Sequence, residues 1–170
     1  MLTKDIMLKM IAFEAGCAER VQHFLKVYQY AQIIADAENL RGEEREILDV
    51  TTLMHDIAIG PCEKTYGHCT GKLQEQEGPA YAKAMLAETG CASATMVERV
   101  CWLIAHHHTY GDFEGLDYRI LIEADYLVNA HENHAPREAV LNMRKKIFRT
   151  TMGTYLLDTL FLADEVEDAA

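Results

Sequence analysis

An all-α fold is predicted for this 170-residue chain by three observations. Apolar residues recur at helical spacing through most of its length, only three prolines interrupt it, and no stretch shows the period-two alternation of a strand. With 49% of its residues hydrophobic it can bury a core of ordinary size, so a single domain over residues 1–170 is expected.

The elements follow in order. The opening run MLTKDIMLKMIAF places Asp and Lys among its apolar positions with no small-residue cleavage site after it, and is read as a flanking helix rather than a secretory signal. From Val21 the spacing through Phe24, Leu25, Tyr28, Ala31 and Ala35 is helical, and GEEREILDV opens a further helix that runs into LMHDIAIG. Between Gly60 and Gln76 the period fades among Pro61, Gly67 and Gly71, which predicts a loop. Helical patterning returns in PAYAKAMLAETG, with Pro79 at its start and Gly90 at its stop, and in SATMVERVCWLIAHHH, capped by Ser93 or Thr95. The link TYGDFEGLD leads to YRILIEADYLVNAHEN, almost wholly apolar. Two amphipathic helices around REAVLNMRKKIF and TTMGTYLLDTLFLA complete the pattern, and the acidic tail DEVEDAA is expected to fray.

The formal net charge of −11 excludes a nucleic-acid polymer or an anionic membrane as the main partner, because both require a basic face. A small phosphorylated molecule is allowed, since one ion and a few local cations can reverse the potential in a cleft. Five cysteines, at positions 17, 62, 69, 91 and 101, form no C-x-x-C pair and suit a reducing cytoplasm. No apolar run approaches the ~20 residues of a membrane span. The apolar C-terminal helix is a candidate interface for a homo-oligomer.

The chemistry concentrates in a few acids and imidazoles set in apolar surroundings. His55 and Asp56 sit between Leu53, Met54, Ile57 and Ile59, where a carboxylate without a partner costs several kcal/mol. Asp125 lies among Leu121, Ile122, Ala124, Leu127 and Val128; either it meets a cation or it pairs with an arginine such as Arg99 or Arg119. His23 shares a helix face with Val27, Tyr30 and Ile34 and therefore points inward, as a ligand or as a core histidine bonded to a carbonyl. Of His106, His107 and His108, at most two rings can enter one cleft; His106 and His107 are taken as the groups that neutralise a leaving oxygen. Lys64 and Lys72, in the stretch after the His55–Asp56 pair, are candidates to meet an anionic substrate.

The ordered set His23, His55–Asp56, the histidine cluster and Asp125 resembles the HD-domain superfamily of metal-dependent phosphohydrolases. The components that carry the likeness are RVQHFLKVYQYAQIIA, LMHDIAIG, EGPAYAKAML, VCWLIAHHHTY and ILIEADYLVN, over about residues 19–150. The resemblance implies an all-α HD-domain helical bundle around a metal site, with His23, His55, Asp56 and Asp125 as metal ligands. Members with two metals usually carry a histidine where this chain has Gln74, so Gln74 and Glu75 are expected to meet substrate or a second ion. Ile59 replaces the lysine of HDIGK and no G-Y-P segment follows the histidines, which sets the chain apart from the HD-GYP branch.

Residues and resemblance together predict hydrolysis of a small phosphorylated substrate by water activated on a divalent transition metal, with Asp56 or Asp125 steering the nucleophile. Mixed imidazole and carboxylate ligation suits Mn, Fe, Co, Ni or Zn. Two rivals keep the same residues: a non-catalytic module that binds metal or nucleotide and signals, and a di-iron oxygenase of the HD type.

Overall fold

The computed structural model describes residues 2–163; the acidic tail lies outside them. Among the described residues every regular element is a helix, with no strand. In chain order the helices are α1 (Leu2–Phe13), α2 (Ala18–Ala37), α3 (Gly42–Met54), α4 (Ile59–Tyr66) and α5 (Gly71–Thr89). They continue with α6 (Ala94–Ile104), α7 (Leu116–Glu132), α8 (Arg137–Ile147) and α9 (Thr151–Leu157), the last running into a π-helical turn, Asp158–Leu162. None is long and apolar enough to cross a membrane, and none of the five cysteines is bridged.

The bundle is organised around α7, which packs against α2 and α3. Its apolar sequence has no solvent-facing stripe over most of its length because it runs through the interior: Tyr118, Ile120, Leu121, Ala124 and Leu127 are all at most 1% exposed. The second half of α3, Ile47 to Met54, is buried as well apart from half-buried Asp49. Fully burying each Leu or Ile of this kind stabilises the fold by ~1.5–3 kcal/mol, and that sum allows the same helices to carry polar groups inward.

Two expectations are corrected. The stretch 60–76 is not a loop: α4 occupies its first half and α5 begins at Gly71, with only residues 67–70 between them. The period was invisible because α4 is one short helix with its last half exposed; Gly67, at φ 75°, ends it, and the Thr70 hydroxyl accepts from the Leu73 amide to start α5. Pro79 does not open a helix either, since it lies inside α5. Its ring removes the amide that would bond the Glu75 carbonyl, yet the helix continues because Gly78 presses on Ile104: a Cβ there would lie 2.7 Å from the Ile104 side chain. This packing overrides the local preference of the proline.

Elsewhere the expected punctuation holds. Ser93, not Thr95, caps α6, its hydroxyl accepting from the Met96 amide at 3.1 Å. Gly90 closes α5 at φ 65°. The C-terminal pair is fixed by a buried carboxylate: Glu123 of α7 accepts from the Arg149 and Thr150 amides at 2.6 and 2.9 Å and from the Thr150 hydroxyl. Thr150 in turn caps α9 through the Gly153 amide. A Cβ at Gly153 would collide with Glu123 and the Thr150 hydroxyl.

Truncating this carboxylate, Glu123→Ala, leaves two amides and a hydroxyl unbonded in the interior and is expected to cost about 2–4 kcal/mol in urea unfolding. Gly153→Ala is expected to lower stability in the same assay. Wild-type midpoints for both would show that Glu123 does not hold α9.

Candidate metal centre

Three segments bring four side chains to one point. Helix α2 turns the face carrying Val27 and Ile34 into the core, and His23 sits one turn earlier on that face, with its side chain 11% exposed. At the end of α3 the backbone tightens, the Ile57 amide bonding the Met54 carbonyl at 3.0 Å and the Ile59 amide the Asp56 carbonyl at 3.0 Å. This turn aims the adjacent His55 and Asp56 at a common place, which a continuing α-helix would not do. Helix α7 supplies Asp125 from its buried side.

The His23 Nε2 lies 3.3 Å from His55 Nε2 and 3.3 Å from an Asp125 oxygen, and 3.4 Å from an Asp56 oxygen. His55 Nε2 is 3.4 Å from the same Asp125 oxygen and 3.5 Å from the same Asp56 oxygen. Ligands held ~2.1 Å from one ion stand ~3.0–3.4 Å from each other, so these separations fit a divalent cation held by His23, His55 and Asp56, with Asp125 against the same two imidazole nitrogens. The far nitrogens define which lone pairs point inward: His23 Nδ1 meets Glu132 at 2.8 Å and His55 Nδ1 meets the Thr52 carbonyl at 2.9 Å. An Nδ1–H donated to each acceptor leaves both Nε2 lone pairs facing each other and two carboxylates. That donor set is electron-rich on every side and fits a metal ion.

Without a cation, protons take its place. Burial works against a charge on His55, but Asp56 and Asp125 outweigh it and push its pKa up to about 9. His23 is also raised, burial being overcome by Asp125 and Asp56. Burial would raise the two acids; His55 and His107 instead draw Asp56 down to about 2, and His23 and His55 hold Asp125 well below the usual carboxylate range.

A second group, Asp56, His107 and His108, also has ligand atoms close enough to share an ion. His107 is fully buried; its Nδ1 bonds the Ile104 carbonyl at 2.7 Å, and its Nε2 lies 3.5 Å from the other Asp56 oxygen with no hydrogen-bond partner among the described residues. His108 Nε2 meets the Gln74 side-chain oxygen at 2.9 Å, and burial beside His107 drops its pKa to about 4, so it stays neutral. Glu75 receives the His108 amide at 3.0 Å and the Thr109 hydroxyl at 3.0 Å, fixing the turn that carries the histidines.

The structure separates the other candidates from this centre. His106 stacks on Trp102 at 4.3 Å between ring centroids and bonds the Trp102 carbonyl, so the second inward ring of the triple is His108 and not His106. The α6 helix ends at Ile104, and in the turn after it His107 and His108 lie side by side, 4.0 Å between ring centroids, while His106 turns to Trp102. Lys64 and Lys72 are exposed on α4 and α5 and do not join the ligand cluster. Neither arginine considered for Asp125 reaches it: Arg99 pairs with Asp117 and Arg119 with Asp112. Sequence reasoning missed Asn129, which donates to Asp125 at 2.8 Å, and Glu132 behind His23. Both lie on the Asp125 face of α7, at i+4 and i+7, and that spacing was the available signal.

A cavity of about 260 Å³ opens on His23 and Asp56, with Phe24, Leu53 and Ile59 on its apolar side and Glu14, Glu19, Arg20, Asn129 and Glu132 around it. A family model described as HD domain matches residues 20–149, a span that holds all four converging side chains. No curated protein and no solved structure matches the chain.

Two outcomes follow for metal binding. Since His55 titrates at about 9 in the metal-free chain, it carries a proton at pH 7 that the ion must displace, so affinity for Mn²⁺ rises from pH 7 to 9 and levels off above. Calorimetric titration in buffers of different ionisation enthalpy measures the released proton; pH-independent affinity with no release contradicts this assignment. Glu132→Gln, which weakens the support of His23, is expected to lower metal affinity about 10–100-fold.

Proposed function

We propose, from the premise that this chain belongs to the HD-domain family, that it is a metal-dependent phosphohydrolase acting on a small phosphorylated substrate. One observation carries the reading: the lone pairs of two buried imidazoles and two carboxylates converge at 3.3–3.5 Å beside a cavity that reaches solvent. HD domains bind divalent metals, and the residues here that would hold one are His23, His55, Asp56 and Asp125. A bound divalent ion supplies Lewis acidity, which makes water a better nucleophile near neutral pH and draws charge off a phosphoryl oxygen.

The remaining chemistry belongs to the chain. Asp56 has one oxygen toward His23 and His55 and the other toward His107, so it can orient an attacking water and accept its proton. His107 presents an unbonded Nε2 at 3.5 Å from that carboxylate and can take the proton and return it to the leaving oxygen. His108 stays neutral and, through Gln74, keeps the second ring from drifting. Asn129 and Glu132 hold Asp125 and His23 in position. Of the two rings expected to neutralise the leaving oxygen, His107 is the one we assign, since His106 is committed to Trp102.

Manganese-loaded protein screened against nucleotides, phosphomonoesters and phosphodiesters is expected to release phosphate from at least one class. His55→Ala is expected to reduce release to the background rate, and His107→Ala to lower kcat by about 10²–10⁴-fold, the range of a lost general acid or base. A wild-type protein that binds metal tightly and turns over no class would sink the hydrolase reading in favour of a sensor.

A further inference from the structure

Glu14 and Arg20 line the metal cavity on one side and a wider outer groove of about 730 Å³ on the other. The Arg20 guanidinium donates to Glu14 at 2.9 Å and to Glu63 at 2.6 Å, which pins it between the two spaces with N–H groups to spare. Glu14 itself is only 5% exposed. Gly60 makes the room, because a Cβ there would stand 2.8 Å from the Arg20 Nη1. This is a built wall, held by two carboxylates and one required glycine.

The groove beyond it has an aromatic side. Phe13 and Tyr81 are 42% and 37% exposed and meet edge to face, with centroids 6.5 Å apart. Pro61 adds a further apolar face, and Lys64 lines the same space with no ion-pair partner among the described residues. At the groove's inner edge Arg20 is bonded to Glu14 and Glu63, and the part left for a ligand, two half-exposed rings and Pro61 beside the uncommitted cation of Lys64, suits a planar ring. Phe13 and the turn after α1 precede residue 20, where the family match begins, so part of this wall is added to the family's unit by the preceding helix.

Charge narrows the ligand. Around the metal cavity Glu14, Glu19 and Glu132 stand against Arg20, the one arginine or lysine lining it among the described residues. A chain of several phosphates laid along that cavity meets like charge, whereas an ester with one phosphate at the metal end does not.

We infer that the outer groove is the leaving-group subsite, and that it takes the flat aromatic ring, nucleobase or aryl, of a phosphate monoester. This rests on the hydrolase reading for the identity of the reacting end. Tyr81 and Phe13 are then specificity-determining residues, and Arg20, held by Glu14, marks the junction between ring and phosphate.

The test uses two ligands that cannot be hydrolysed, the 5′-methylenephosphonates of adenosine and of ribose, which share sugar and anion and differ in the ring. Calorimetry with manganese-loaded protein is expected to show the adenosine compound binding about tenfold tighter or better, and Tyr81→Ala or Phe13→Ala to remove most of that difference. Equal affinities, no binding of either compound, or a preference untouched by both substitutions would overturn the subsite. So would a change of sedimentation state in Tyr81→Ala with the ring preference intact, which would make this face a contact between copies of the chain. Hydrolysis of AMP is scored separately: an inert protein that keeps the ring preference retains the subsite and loses the hydrolase reading, and an active one without the preference does the reverse.

Discussion

Two imidazole nitrogens 3.3 Å apart, each with its lone pair turned toward the other and toward two carboxylates, cannot be held in an oily interior at neutral pH without positive charge between them. Either protons or a metal ion must supply it. This constraint explains features that otherwise look unrelated: the raised pKa of His55, the depressed pKa of Asp56, and the second layer of Thr52, Glu132 and Asn129 that fixes each donor. The apolar burial of α3 and α7 provides the stability that such a cluster consumes. A buried ionic centre of this kind is weak evidence for stability and strong evidence for function.

Asp56 is the hinge of the chemistry. It is the member shared by both groups of potential ligands, with one oxygen on the side of His23 and His55 and the other on the side of His107. A carboxylate placed so can link two ions or relay a proton, and the unpartnered Nε2 of His107 is the complementary half of either arrangement. Gln74 stands where the family resemblance places a histidine, yet it is not idle: it holds His108, and Glu75 holds the backbone of the same turn.

The walls of the cavity and of the outer groove are built from different parts. Helix α1 and the turn after it lie wholly before residue 20, where the family match begins, yet they deliver Met10 and Glu14 to the metal cavity and Phe13 to the outer groove. Residues added outside a shared core are well placed to select ligands, because they can change without disturbing the metal geometry.

The ordered acids and histidines, their apolar settings and the helical spacing were legible in the chain itself, because unpaired charge in a hydrophobic run is costly wherever the run is buried. Asp56, with His55 beside it, and Asp125 could be picked out on that ground, while His23 joined them as a ligand through the family resemblance; the all-α class, the Gly90 stop and a cap at Ser93 or Thr95 rest on helical spacing and local backbone chemistry. Tertiary structure decided what depends on contacts between distant segments. Gly78 against Ile104 carries α5 through Pro79, Trp102 removes His106 from the cleft, and Gln74 retains His108. Local sequence specifies the preference of each segment, but which ring of three faces an ion is settled by neighbours many residues away, whose packing outweighs any single local propensity.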